Sequence, residues 1–429
     1  MKFPLVLLLI GCLAASAAPA VAGAPGESAD SLAHRQVLVM LRVPAAHYRP
    51  DASYGNDYAN APGRSARHRV AGELARAHGL ALHDEWPMPA LGVDCFVLDA
   101  PDARSAASAA LALAADPRVE SAQAMQLFHS LAAAAVDAPA TAHRPATHDP
   151  LYAAQPAAAA WHLDELHALS TGRGVRVAVI DSGVALDHPD LRGQVAVARN
   201  FVDDAGNVAE AHGTAVAGII AARAGNGVGI AGIAPQARLL ALRACWQRDA
   251  GSAACSSFTL ARALQFAIDA RAQILNLSLS GPDDRLLSRL LDVAMRRGIS
   301  VVGAVDAQAR DGGFPASHPG VFAVDGLGRT AAPGKVLHAP DTGIPAPLPD
   351  GGWGLVSGAS FATAQVSGLA ALLLQRRPGL APSQLLALLD PAPGVVLAAE
   401  RPPAIDACAA MQRSAGHCAC ACAAASAAR

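Results

Sequence analysis

Arg176-Val177-Ala178-Val179-Ile180-Asp181-Ser182-Gly183 is the stretch on which the fold turns. The run Val177–Ile180 is apolar without alternation, as a strand buried on both faces of a parallel sheet should be. Asp181 follows at once, at the carboxyl end of that strand, where ligands bind in open α/β sheets. Asp and Gly also end strands in ordinary turns, so Asp181 alone decides nothing.

Strands and helices alternate outward from this stretch, from about 150 to 390. The periodicity predicts a helix over His212–Ala222, a strand over Arg238–Arg243, a helix over Thr259–Ala270 and a strand over Ile274–Leu279. A helix over Arg285–Arg297, a strand over Ser300–Ala304 and a long helix from Phe361 to Arg376, ended by Pro378, complete the series. The expected architecture is a doubly wound α/β domain over residues 150–395, built on a mostly parallel sheet. Before it, residues 33–131 read as a small α+β unit. Its strands are predicted at Gln36–Val43, Cys95–Leu98 and Val119–Phe128, its helices at Ala66–His78 and Ser105–Ala115. An Ala/Pro/Thr/His stretch over 132–149, without periodicity, reads as a linker and cleavage region.

At 429 residues the chain has length for two or three domains. A net charge of -2 with 16% charged residues excludes the basic footprint of a nucleic-acid binder. Lys2, the apolar Phe3–Ile10 and Ala20-Val21-Ala22 form an export signal over residues 1–22. The apolar run is far shorter than the roughly 20 residues that span a bilayer. The expected location is outside the cell or in a bacterial cell envelope. Leu9-Ile10-Gly11-Cys12 resembles a lipoprotein box, and lipidation of Cys12 is the alternative that would tether the chain to a membrane. Export to an oxidising compartment makes disulfides available to the eight cysteines. Cys245 and Cys255, around a short polar loop, are the local pair expected to bond. Residues 396–429 form an Ala-rich tail with Cys408, Cys418, Cys420 and Cys422, whose pairing spacing alone does not define.

Two further residues carry chemistry when taken with Asp181. His212 opens the apolar helix in His212-Gly213-Thr214-Ala215-Val216-Ala217-Gly218, and its ordinary pKa near 6.5 suits a general base. Ser360, in Ser357-Gly358-Ala359-Ser360-Phe361-Ala362, stands at the start of the long helix. There a backbone N–H and the positive end of the helix dipole face a developing oxyanion. Each has a bland alternative, a satisfied core histidine and an N-cap serine. The chain order Asp, His, Ser, each inside a longer block, is what singles the set out.

Those blocks resemble the subtilase family of serine peptidases. The resemblance is carried by Val177–Val184 with His188-Pro189-Asp190-Leu191, by His212–Gly218, by Gly229–Pro235, by Ile274–Leu279 and by Ser357–Gly368, in order over about 150–390. It implies a secreted endopeptidase with a subtilisin-like fold, in which Ser360 attacks the scissile carbonyl. His212 would serve as base and then acid, and Asp181 would orient the imidazole. Ser278, Leu279 and Ser280 would wall the substrate pocket, with polypeptide substrates adding as a strand. The 33–131 unit would be an inhibitory propeptide cut from the zymogen near 132–149, an intramolecular partner of the peptidase domain. No cofactor or metal is implied; structural calcium is compatible, but no ligand spacing indicates it.

Three positions depart from the family pattern. Ala359 replaces the Thr before the nucleophile and Ala364 the Pro after it. The Asn that usually completes the oxyanion hole is missing from Gly303-Ala304-Val305-Asp306-Ala307-Gln308. Loss of one such donor costs about 100- to 1000-fold in rate. Gln308, or Asp306 if protonated, are the substitutes in reach. The alternative reading is therefore a catalytically impaired, subtilase-like peptide-binding protein, and a third is an esterase or transpeptidase using the same acyl-enzyme. Gly227–Gly232 matches a dinucleotide fingerprint but follows a helix and precedes a strand, the wrong order for phosphate binding. A Gly-x-Ser-x-Gly elbow around Ser360 and a His-Glu-x-x-His helix are both absent. The sequon at Asn276 lies in a strand that reads as buried.

Overall fold

A computed structural model describes residues 29–43, 61–137, 149–248, 252–328, 335–391 and 403–415. The signal, Cys12, most of the linker and the Cys418–Cys422 run lie outside the described residues. No helix among the described residues is long and apolar enough to cross a membrane.

The amino-terminal unit comprises α1 (Ala29–His34), β1 (Gln36–Arg42), α2 (Ala61–Ala77), β2 (Ala81–Met88), β3 (Val93–Asp99), α3 (Ala103–Ala114) and β4 (Val119–Ala124). Its antiparallel sheet has the order β2-β3-β1-β4. Alternation decides what each face covers. Val37, Val39, Leu41, Phe96 and Leu98 pack beneath α2 and α3 in a core of their own. Leu38, Met40, Cys95 and Val97 share a core with residues of the large domain. Cys95 is a buried free thiol at this junction, pushed up by burial and by the carboxylates of Asp284, Asp84 and Asp94.

The chain then runs through two short strands, β5 (Leu127–Ser130) and β6 (Ala133–Asp137), before entering the large domain. After α4 (Pro156–Ala160) and α5 (Leu163–Leu169) come β7 (Arg176–Asp181), β8 (Val195–Asn200), α6 (Ala211–Ala221), β9 (Arg238–Arg243), β10 (Cys245–Gln247) and β11 (Ala253–Ser256). These are followed by α7 (Ser257–Asp269), β12 (Ile274–Leu277), β13 (Leu279–Ser280), α8 (Arg285–Arg296), β14 (Ser300–Ala304), β15 (Phe322–Gly326) and β16 (Val336–Ala339). Last are β17 (Ile344–Pro347), β18 (Trp353–Ser357), α9 (Ala359–Arg376), α10 (Pro382–Leu389) and α11 (Ala407–Ala415).

The central sheet has the order β16-β15-β14-β12-β7-β9-β8, and every pairing in it is parallel. The unbroken apolar run of β7 is explained by its two covers. Val177 and Val179 face the core made with α6 and α9, while Ala178 and Ile180 face α7 and α8. This is the doubly wound architecture expected. From β7 the chain runs to the edge strand β8, comes back to β9 between the two, and then crosses to the other side of β7 at β12. The switch point therefore falls between β7 and β12, whose carboxyl ends define the crevice. Cys245 and Cys255 are bonded and pair across the β10–β11 hairpin, as expected, and buried Cys408 is also disulfide-bonded.

The predicted strand Val119–Phe128 is two strands. β4 stays in the amino-terminal sheet, whereas β5 crosses to pair with β11 and β13 of the large domain. Likewise Ile274–Leu279 divides at Ser278 into β12 and β13. Each break marks a change of partner sheet, which local sequence does not encode.

Candidate active site

Asp181 ends β7, and His212 is the second residue of α6, whose start lies against the end of that strand. The approach is so close that a Cβ at Gly213 would fall 2.2 Å from the Ser182 carbonyl oxygen. Asp181 Oδ1 and His212 Nδ1 are 2.7 Å apart and both side chains are buried. Asp181 Oδ1 also accepts from the Ser182 N–H at 2.7 Å. The pair thus holds the imidazole with Nε2 as its free end, and that atom is buried without a hydrogen-bond partner among the described residues.

Ser360 is fully buried at the start of α9, and the ring of the next residue, Phe361, lies 5.5 Å from the His212 ring. Its hydroxyl does not point at His212. It donates to the Ser278 carbonyl at 3.0 Å and accepts from the Leu131 N–H at 3.0 Å. The structure therefore joins Asp181 to His212 and sets Phe361, the residue after Ser360, against the His212 ring, but leaves the expected serine–imidazole hydrogen bond unmade. Below the serine lies a buried chain of polar groups. Ser278 Oγ donates to the Ser360 carbonyl and accepts from Asn276 Nδ2, while Asn276 Oδ1 accepts from Ser367. Asn276 is a positioning group here, completely buried, and not a glycosylation site.

The chain itself fills the cleft. β5 inserts between β11 and β13, with His129 opposite both Ala254 and Ser280, and Ser130 opposite Leu279. Leu279 and Ser280 thus meet an extended peptide through their backbone. Phe128 is buried, its ring 6.1 Å from that of Phe314. Past Leu131 the chain continues into β6, which pairs antiparallel with β18, Ala133 opposite Ser357 and Val136 opposite Leu355. Between the two strands the Leu131 carbonyl accepts from the Ser360 N–H at 3.3 Å. Gly358, at φ +133°, leaves room for it, since a Cβ there would fall 2.3 Å from the Leu131 oxygen. Among the described residues Ser360 N–H is the only donor to that carbonyl. Asp306 is otherwise engaged, its Oδ1 accepting from the Gln308 N–H and its Oδ2 3.7 Å from His129 Nε2.

Sequence reasoning missed Glu210 and Arg243. Arg243 lies opposite Asp181 in the β7–β9 register, and its guanidinium binds Glu210 through two nitrogens at 3.0 Å each. Glu210 also accepts from the N–H groups of Gly183 and Gln247, and so ties the end of β7 to the residue just before α6. A charged residue closing an otherwise apolar strand was the available signal. Burial raises the Glu210 pKa, but the bonds from Arg243 and the two N–H groups outweigh it and hold the carboxyl below its usual 4.5. Because the folded value is depressed, the stability it contributes is present above 4.5 and is lost as pH falls through the native value. Glu210→Gln should lower unfolding stability by about 1–3 kcal/mol at pH 7, since the charge-assisted bonds from Arg243 weaken while Asp203, 2.9 Å from the same guanidinium, still pairs with it. Denaturant titration should show that deficit narrowing as pH falls from 4.5 through the lower native value.

The Subtilase family pattern matches residues 172–392. Subtilisin E of Bacillus subtilis (strain 168) is 34% identical over 225 residues, 48% of this chain and 57% of that protein. Subtilisin of Bacillus pumilus is 34% identical over 225 residues, covering 79% of its length. The chain therefore spans little more than half the length of several relatives it matches. The crystal structure of fervidolysin from Fervidobacterium pennivorans, a keratinolytic enzyme related to subtilisin, superimposes with a TM-score of 0.64. That likeness, at 23% identity, covers 88% of this chain and 60% of the other and supports the fold. With the family pattern spanning the crevice and all three candidate residues, the chain belongs to the subtilase family.

Proposed function

We propose that this chain is an exported serine endopeptidase in which Ser360, His212 and Asp181 act as nucleophile, base and orienting carboxylate. The 33–131 unit is its cleft-filling inhibitor, and the first bond cut is Leu131–Ala132. The observation that supports this most is the path of the chain past Ser360, with the Leu131 carbonyl at the Ser360 N–H and extended strands on either side. Pairing of an extended peptide to both flanks of a helix-start serine is what endoproteolysis requires, because substrate continues beyond the reacting bond in both directions.

In the reaction the Ser360 hydroxyl turns from the Ser278 carbonyl to His212 Nε2. Its oxygen attacks the Leu131 carbonyl carbon as Nε2 takes the proton. The Ser360 N–H and the positive end of α9 face the oxyanion. Breakdown expels the Ala132 nitrogen, which receives the proton from His212, and leaves Leu131 esterified to Ser360. Water, deprotonated by the same imidazole, releases the acyl group. With one backbone donor in place of two donors, turnover should be slow, about 100- to 1000-fold below a fully furnished hole.

The test is an organophosphorus fluoride added to the processed chain beside peptide amide and ester substrates. One adduct at Ser360 with amide hydrolysis is expected. Labelling with ester hydrolysis alone would favour an esterase, and neither labelling nor hydrolysis would overturn the proposal in favour of a binding protein.

A further inference from the structure

The end of the central sheet away from the crevice gathers arginines. Arg176 opens β7 and Arg238 opens β9, and the two stand opposite one another in the parallel register. Arg173 precedes β7, Arg192 precedes β8, Arg223 follows α6 and Arg271 precedes β12, and all six are exposed. Their contacts are with neutral groups. Arg173 Nε donates to Gln236 Oε1 at 2.7 Å and Arg176 Nε to the Arg271 carbonyl at 3.0 Å. Arg192 donates to the Asp187 carbonyl at 3.4 Å and Arg238 to the Gly193 carbonyl at 3.3 Å. Among the described residues none of the six has a carboxylate in an ion pair, whereas Arg243, Arg262 and Arg289 each do. The net charge of -2 hides this asymmetry. Like charges side by side on paired strands repel, and uncompensated guanidinium groups on one face raise a positive potential over it.

Two of the six line a cavity of about 480 Å³, together with His167, Thr171, Gln194 and Gln236. Its walls are braced from behind. Gln194 Nε2 donates to the Ala221 and Pro235 carbonyls, Gln236 Oε1 accepts from the Thr171 hydroxyl at 2.9 Å, and His167 Nε2 is 3.1 Å from the Ile233 carbonyl. The Arg223 guanidinium has no hydrogen-bond partner among the described residues. A guanidinium is a planar fork of donors that matches paired oxygens of sulfate or phosphate. The amide, hydroxyl and imidazole groups beside the two forks suit the hydroxyls of a sugar, and the volume is that of a small-molecule site.

We propose that the amino end of the sheet is an anchoring site for a polysaccharide bearing sulfate or phosphate groups. One anionic sugar enters the cavity against Arg192 and Arg223, and the polymer continues over Arg238, Arg176 and Arg173. A nucleic-acid duplex is the poorer partner, because its rigid outer backbone meets the exposed arginines but places no sugar in the cavity. β7 runs five residues from Arg176 to Asp181, about 17 Å, so a bound polymer leaves the crevice open. The chain is thereby held on an anionic surface with its crevice turned away from it. This binding is independent of whether Ser360 is a nucleophile.

Calorimetric titration of the full chain with dextran sulfate tests this. Dextran sulfate should bind and neutral dextran should not, with affinity falling steeply between about 50 mM and about 200 mM salt as counterions are released. Arg192→Gln with Arg223→Gln should weaken binding about tenfold or more at the lower salt. Arg192→Lys with Arg223→Lys, which keeps the charge but not the planar fork, should fall between that pair and the unaltered chain. Arg199→Gln with Arg310→Gln removes the same charge at the carboxyl end of the sheet, and should change affinity by less than about twofold, since salt screens it over that distance. Absence of dextran sulfate binding, or equal weakening by the two glutamine pairs, would overturn the proposal. Duplex DNA binding as tightly as dextran sulfate would also overturn it, and would give the surface to nucleic acid.

Discussion

Replacement of Ser360 by alanine leaves the exported chain at full length, whereas the unaltered chain loses everything before Ala132. This is the result expected from intact mass and amino-terminal sequencing of the two proteins side by side. A methyl group retains helix start, burial and backbone N–H, so the Leu131 carbonyl keeps its one donor while the attacking atom disappears. The readout suits an enzyme with a depleted oxyanion hole. The bond is held intramolecularly against the nucleophile, and effective molarities of well-oriented reactions reach about 10⁵–10⁸ M, so one slow turnover suffices. Equal shortening of both proteins would assign the cut to another peptidase. Equal full length would favour a protein that binds its own amino-terminal unit without cleaving it.

Asp181→Asn should lower kcat of the processed enzyme by about 10⁴-fold, with little change in KM. The carboxylate accepts from His212 Nδ1 at 2.7 Å and from the Ser182 N–H, in a buried setting. An amide there has a donor of its own to satisfy, and turning that donor to Nδ1 leaves the proton on Nε2, the nitrogen that must be free to accept from Ser360. The imidazolium formed during attack also loses the neighbouring negative charge. Steady-state kinetics with a peptide amide decide it, and a loss under tenfold would remove Asp181 from the mechanism.

Where the sequence spoke, it did so through runs long enough to carry a period. β7, β9 and β14 carry continuous apolar runs, and β12 one broken only by the buried Asn276, because the sheet is covered on both faces, and their order suffices for a doubly wound fold. α9 is apolar nearly all round because it is buried nearly all round. Asp181, His212 and Ser360 were singled out by their chain order inside longer blocks, since standing at the end or start of an element leaves each of them a bland alternative. β2 went unread since Ala81–Met88 alternates poorly and is mostly half-exposed. β10, β13 and β17 are too short for a pattern, and their strand character comes from the neighbour they meet.

The sequence by itself thus determined the layers of the large domain and the crevice end of its sheet, because periodicity and strand-end position are local properties. Only the tertiary structure decided that β5 leaves its own sheet for the cleft, that Leu131–Ala132 lies at Ser360, that the hydroxyl rests on Ser278 and not on His212, and that Glu210 clamps Arg243 beside Asp181. Each is a pairing between segments far apart in the chain. Its free energy comes from complementary backbone edges and buried charges meeting in space, and neither partner carries a local mark of the other.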